Sequence, residues 1–118
     1  MSESPSPTGI TLHQKSRVME VAFSDGRAFR LPFEYLRVFS PSAEVRGHGP
    51  GQEVLQTGKR DVDIVAIEPV GSYAVQPRFS DGHDSGIYSW DYLYELGEGQ
   101  ESNWAAYLAQ LEKAGASR

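Results

Sequence analysis

The 118-residue chain has no cysteine. This excludes disulfides, a thiolate zinc site, an iron–sulfur cluster held by the chain's own thiolates and a cysteine nucleophile. Histidine is scarce: His13, His48 and His83 fall in three separate segments, so no metal-ligand spacing can be read from them. Long apolar runs are missing too. Nothing approaches the ~20 residues of a membrane span, and the opening MSESPSPTG is polar and Pro/Ser-rich, unlike a basic segment followed by an apolar one. The expectation is a cytoplasmic protein with no membrane partner, and residues 1–8 are expected to form a disordered lead-in. Basic charge is in deficit, with 11 Lys+Arg against 16 Asp+Glu and a net charge of −5. This argues against nucleic acid as the main partner, with Lys59-Arg60 as a local patch only.

What the chain does have is a repeated tetrapeptide. FSDG occurs as Phe23–Gly26 and as Phe79–Gly82, and each copy is followed by a related pentapeptide, FEYLR (33–37) or WDYLY (90–94). The run RVMEVAF places Met19, Val21 and Phe23 on one face at period two, and RAFRLP does the same for Phe29 and Leu31. A two-residue Asp-Gly loop would send these two sets to opposite faces. A three-residue loop Ser24-Asp25-Gly26, with Gly26 left-handed, pairs Phe23 with Arg27, Val21 with Phe29 and Met19 with Leu31, which unites the core. The same arithmetic on the second copy pairs Phe79 with His83, Pro77 with Ser85 and Val75 with Ile87. It puts Tyr73, Val75, Phe79 and Ile87 on a common face, with His83 in the place of Arg27.

Each hairpin feeds a short helix. Pro32 suits the first turn of one over 33–37, and Ser89 is a good N-cap for WDYLYEL, with Gly97 or Gly99 as its stop. That second helix is apolar on more than one stripe, which predicts contacts on two sides. ITLH (10–13) is a strand followed by a turn at Gln14-Lys15-Ser16, and Val62–Ile67 is another, closed by a turn at 68–71. Pro77 makes the second half of YAVQPRF an edge or a bulge. Residues 40–52, with three glycines and two prolines, read as a loop. In NWAAYLAQLEKAG, Trp104, Tyr107, Leu108 and Leu111 mark an amphipathic helix stopped at Gly115. The whole reads as one α+β domain: antiparallel hairpins each followed by a short helix over 9–97, and a C-terminal helix and tail, 98–118, packing on it.

Residues with chemical potential are few. RGHGPGQ (46–52) lacks phosphate-loop spacing and reads as a flexible Gly/Pro loop, although Arg46, His48 and His83 would form a small-ligand site if they converged. No serine sits in a nucleophile elbow. Asp81 and Asp84 flank His83, but Asp81 suits the turn itself. An imidazole beside an aromatic face is most simply a structural residue, and metal ligation by His83 needs partners from another element. No catalytic residue and no cofactor-binding residue is assigned.

LPFEYLRVFSPSAEV followed by DGHDSGIYSWDYLYEL resembles the small domain at the N-terminus of gamma-butyrobetaine hydroxylase and trimethyllysine hydroxylase. That domain also occurs alone in bacteria and fused to P-loop iron–sulfur cluster carriers. The resemblance covers about residues 10–97. It implies a zinc position built from a Cys-x-Cys-x-x-Cys cluster and the histidine of the DGH segment. Residue by residue, the cluster falls on Ser40, Ser42 and Val45, and the histidine on His83. Three of four ligands are absent, so the resemblance implies that zinc is lost here, with His83 the one retained ligand. It implies no catalysis, since the oxygenase chemistry of the hydroxylases belongs to another domain.

The function expected is therefore a non-catalytic accessory or interaction module for a protein partner, linked by family analogy to iron–sulfur or other cofactor-protein maturation. The aromatic set Tyr88, Trp90, Tyr92 and Tyr94 is the candidate surface. Two alternatives stand beside it. One is a metal-binding protein with a degenerate site at His83, helped by Asp81, Asp84 or His48. The other is a ligand binder or enzyme using the Gly-rich loop 46–51.

Overall fold

The computed structural model describes residues 5–46 and 54–118. Strands β1 (Pro7–His13), β2 (Val18–Phe23) and β3 (Ala28–Pro32) form an antiparallel sheet in that order and lead into α1 (Phe33–Val38) and the single-turn α2 (Ala43–Arg46). A second antiparallel sheet, β4 (Ile64–Val70), β5 (Ala74–Phe79) and β6 (Tyr88–Ser89), leads into α3 (Trp90–Glu98) and α4 (Gln100–Ala114). The fold is α+β, as the alternation of hairpin and helix predicts.

The FSDG loops are one device used twice. Phe23 N–H donates to the Arg27 carbonyl at 2.8 Å and Gly26 N–H to the Phe23 carbonyl at 3.1 Å, while Asp25 Oδ1 accepts the Arg27 N–H at 3.0 Å. In the second loop Phe79 donates to His83 at 3.0 Å, Gly82 to Phe79 at 3.1 Å, and Asp81 Oδ1 accepts the His83 N–H at 3.2 Å. Gly26 and Gly82 have φ of +87° and +90°, where a side chain is strained. The serines complete the match. Ser24 N–H donates to the Ser6 carbonyl while Ser24 Oγ accepts the Ser6 N–H, and Ser80 makes the same reciprocal pair with Asp63.

The repeat extends beyond the turns. β1 and β4 each carry a register shift at their entry, between Pro7 and Gly9 and between Ile64 and Ala66. Tyr35 Oη donates to the Leu96 carbonyl at 2.7 Å, and Tyr92 Oη, 57 residues on, donates to the Phe39 carbonyl, itself 57 residues before Leu96. Tyr94 Oη donates to Asp25 Oδ2, while Arg37, its counterpart in α1, donates to Asp81 Oδ2. The two halves share one plan and clasp each other through equivalent bonds.

The first hairpin has the expected register, with Val21 opposite Phe29 and Met19 opposite Leu31. The second departs from it beyond the turn. Val75 pairs with Tyr88 and Ala74 with Ser89, so the return strand has slipped by one residue relative to the Phe79–His83 bond. Pro77 has no N–H to offer a ladder, and the pairing lapses across it. One extra residue is taken up in 84–87, and the slip turns every following side chain over. Tyr88 is thereby buried and Ile87, expected in the core, is 44% exposed; Tyr73, also expected there, lies in the turn ahead of β5 and is 58% exposed.

Other boundaries move for local reasons. β1 begins at Pro7, inside the expected lead-in, because Ser6 is fastened to Ser24; residues 1–4 lie outside the described residues. β4 runs to Val70 and turns at 71–73, with Gly71 at φ +53°. The Gln14 turn extends to Arg17, at φ +55°, whose carbonyl accepts the Phe33 N–H. Pro32 ends β3 as the cap of α1. The expected loop 40–52 contains α2, and residues 47–53 lie outside the described residues.

The main core joins Met19, Val21, Leu31, Phe33 and Leu36 of the first half to Ile64, Phe79, Tyr88 and Leu93 of the second. A smaller cluster of Val38, Tyr107 and Leu111 seats α4. Leu108 is 40% exposed, since Trp104, Tyr107 and Leu111 present the helix face that packs. Gly115, at φ +68°, ends α4 as expected.

Candidate functional site

The second FSDG turn and the exit of α1 bring the residues singled out by sequence to one place. His83 lies at the turn end of the second hairpin, 5% exposed, with its ring 6.0 Å from that of Phe79. Ser40 follows α1 and is fully buried, with Oγ 2.8 Å from His83 Nε2. Ser42 N–H donates to Ser40 Oγ at 3.3 Å, and Ser42 Oγ lies 2.7 Å from Ser85 Oγ. Val45, in α2, is buried beyond them. Ser40, Ser42 and His83 are thus joined directly or through one hydrogen bond.

Gly86 makes the approach possible. A Cβ there would stand 2.4 Å from Ser40 Oγ. Its counterpart in the first half, 57 residues earlier, is Phe29, whose ring lies against Gly97, the counterpart of Ser40. One half therefore places an aromatic ring against a glycine, and the other a glycine against a serine. The space not taken by a ring holds the Ser40–His83 pair. Arg27, the counterpart of His83, instead lies over the rings of Phe29 and Tyr94 at 5.0 and 5.5 Å and pairs with Glu98 at 2.8 Å.

Asp81 fastens this turn to the rest of the molecule. Oδ2 accepts from Arg37 Nε at 2.9 Å and Lys59 Nζ at 2.8 Å, and Arg37 also donates to Gln56 Oε1. Burial acts to raise the Asp81 pKa, but the hydrogen bonds from Lys59, the His83 N–H and Arg37 outweigh it and hold the carboxyl at about 2. Burial also pushes the Tyr88 phenol well above its ordinary range, and its hydroxyl donates to the Leu36 carbonyl.

The turn arithmetic named His83 and the family resemblance named Ser40, Ser42 and Val45; Ser85, Gly86, Arg37 and Lys59 were missed. Gly86 was findable by aligning the halves, where it replaces a large ring. The pairing of Arg37 with Asp81 depends on the two halves packing together and has no local signal. Arg46 is exposed and donates to Tyr92 Oη at 2.8 Å, and His48 lies outside the described residues. Asp84 is exposed.

The aromatic set is divided. Tyr88 has no exposed surface, so it is a core residue and not part of an interaction face. Trp90 is half-buried with Nε1 donating to the Ser72 carbonyl; Tyr92 and Tyr94 are half-buried and tied to Phe39 and Asp25. Among the described residues no helix is long and apolar enough to cross a membrane.

The model of the family gamma-butyrobetaine hydroxylase-like, N-terminal, matches residues 10–94. The chain belongs to this family. Two relatives known from NMR solution structures are 48% and 53% identical to it, each with a TM-score of 0.85. The alignments cover 98% and 99% of this chain and 91% and 87% of theirs. A crystal structure of a protein of unknown function from Acidithiobacillus ferrooxidans is 46% identical, with a TM-score of 0.67, covering 78% of this chain and 92% of that one. A comparison with curated proteins found no match.

For this gamma-butyrobetaine hydroxylase-like domain, the donors at Ser40, Ser42, Val45 and His83 are two hydroxyls, no donor and one imidazole. They do not fit a tetrahedral zinc site, whose ligands are thiolates, imidazoles or carboxylates. Among the described residues no group of three or more His, Asp or Glu side chains is placed to hold a metal ion. The Ser40–His83 contact has the spacing of a nucleophile and its base. Both side chains are buried, however, and Ser40 Oγ already accepts a backbone N–H, so the contact binds the segment after α1 to the second hairpin.

Proposed function

We propose that this chain is a cytoplasmic, non-catalytic interaction module whose partner docks on the apolar side chains beside β6. The observation that carries this reading is the exposure of Tyr73 and Ile87, at 58% and 44%. Ile87 directly precedes β6, and Tyr73 accepts through its carbonyl the N–H of Trp90, which directly follows it. Tyr and Trp supply large contact area at low entropic cost, which suits them to anchor a partner. The net charge of −5 disfavours a nucleic-acid or anionic-membrane role. Family analogy alone supplies the setting, an accessory role in iron–sulfur or other cofactor-protein maturation.

The test is affinity capture from native cytoplasm with the unaltered protein and with Tyr73→Ser/Ile87→Ser. A partner recovered reproducibly with the first and lost with the second supports the reading, given an unchanged NMR spectrum elsewhere. Equal recovery with both sinks it. The same reading holds that the Ser40–His83 contact takes the place of a metal. Elemental analysis of untagged protein is expected to find no stoichiometric zinc or iron, and about one equivalent would restore the metal-binding alternative.

A further inference from the structure

An open groove of about 560 Å³ lies between α1 and the start of α4, lined in part by Pro32, Glu34, Tyr35, Glu101, Trp104 and Arg118. At its wall stands a carboxylate that sequence did not single out. The Glu34 side chain is only 7% exposed, an uncommon place for an acid. Its two oxygens accept from Arg118 Nε at 2.9 Å and Nη2 at 2.7 Å, and the Arg118 guanidinium carbon lies 5.4 Å from the centroid of the Trp104 ring. A buried carboxylate that takes a guanidinium in a two-pronged bond, with an indole face against the cation, is the chemistry by which proteins select arginine over lysine.

We infer that this groove is a receptor for the arginine side chain of a partner polypeptide, and that Arg118 occupies it as an internal stand-in. Three observations support this. The groove's volume exceeds what one guanidinium needs, so a flanking stretch of peptide has room. Its acidic lining, Glu34, Glu98 and Glu101, carries more charge than Arg118 alone offsets, Glu98 being shared with Arg27. The Arg118 side chain is itself 38% exposed, so exchange for another arginine does not require the core to open. The acids also predict that an arginine with a capped α-carboxyl binds better than N-acetyl-arginine, whose free carboxylate they repel. The groove shares no residue with the surface around Tyr73 and Ile87, so either assignment can fail alone.

The experiment follows the Trp104 indole N–H by NMR while N-acetyl-arginine amide is added to Arg118→Ala. A saturable shift is expected, with N-acetyl-lysine amide and N-acetyl-arginine markedly weaker. In the unaltered protein the apparent affinity is expected to fall about tenfold, because Arg118 fills the site most of the time. Glu34→Gln in the Arg118→Ala background should abolish the response; Trp104→Leu, followed through neighbouring amides, should weaken it and serves as the second variant if Glu34→Gln unfolds. No saturable shift in Arg118→Ala, or arginine and lysine amides acting alike, would overturn the proposal and leave the Arg118–Glu34 pair as a fastening of the tail.

Discussion

His83 and Arg27 occupy equivalent places in two copies of one turn and meet opposite fates. The cause is a single neighbour: Phe29 fills the first site with a ring, and Gly86 leaves the second open to Ser40. Removing the Ser40 hydroxyl takes the 2.8 Å contact from a buried imidazole nitrogen, so Ser40→Ala is expected to destabilise by about 1–3 kcal/mol in urea denaturation. Asp81 gives a pH-dependent case. Its folded pKa, about 2 against 3.8 when unfolded, means that its contribution is complete above pH ~4 and is lost as pH falls through 2. Because Asp81 is exposed to solvent, screening reduces what the shift contributes to on the order of 1 kcal/mol. Asp81→Asn should therefore cost on that order at pH 7, and the gap between it and the unaltered protein should narrow as pH falls from 4 through 2. A gap independent of pH would refute the electrostatic account.

The elements were legible wherever local pattern agreed with tertiary demand. Period-two alternation and the loop-length argument fixed the β2–β3 register, and Ser89 caps α3 as expected, accepting the Tyr92 N–H at 3.1 Å. Legibility failed at β6. Ile87 and Tyr88 are both good strand residues, and which one faces inward depends on how many residues are absorbed after Pro77, a matter the sequence pattern leaves open. α2 was missed because Pro41 and the glycines of 47–51 dominate that stretch, while its four residues give no measurable periodicity. At the junction of α3 and β3, a Cβ on Gly97 would stand 2.3 Å from the Phe29 ring. Gly97→Ala is expected to lower stability by about 1–3 kcal/mol through overpacking. The cost should shrink in the Phe29→Leu background, and a thermal-unfolding double-mutant cycle reads this coupling directly.

At the scale of the whole molecule, the halves are held together by bonds that neither makes alone: Tyr35 to Leu96, Tyr92 to Phe39, Arg37 to Asp81 and Tyr94 to Asp25. Fragments 1–53 and 54–118 are accordingly expected to be unfolded separately and to regain structure when mixed, which far-UV circular dichroism and NMR dispersion check. A fragment that folds alone would make the repeat a pair of independent units. The sequence by itself determined the α+β class, the two bulged FSDG turns and the helix ends at Ser89 and Gly115. These follow from backbone preference, periodicity and side-chain chemistry, all of which act within a few residues. Only the tertiary structure decided that Ser40 meets His83, that Tyr88 is core while Ile87 and Tyr73 face outward, and that Glu34 and Trp104 hold a guanidinium. Most of those outcomes depend on a one-residue slip in the second sheet and on contacts such as Ser40–His83 and Glu34–Arg118, 43 and 84 positions apart, where packing of one half on the other chooses among side chains of equal local fitness.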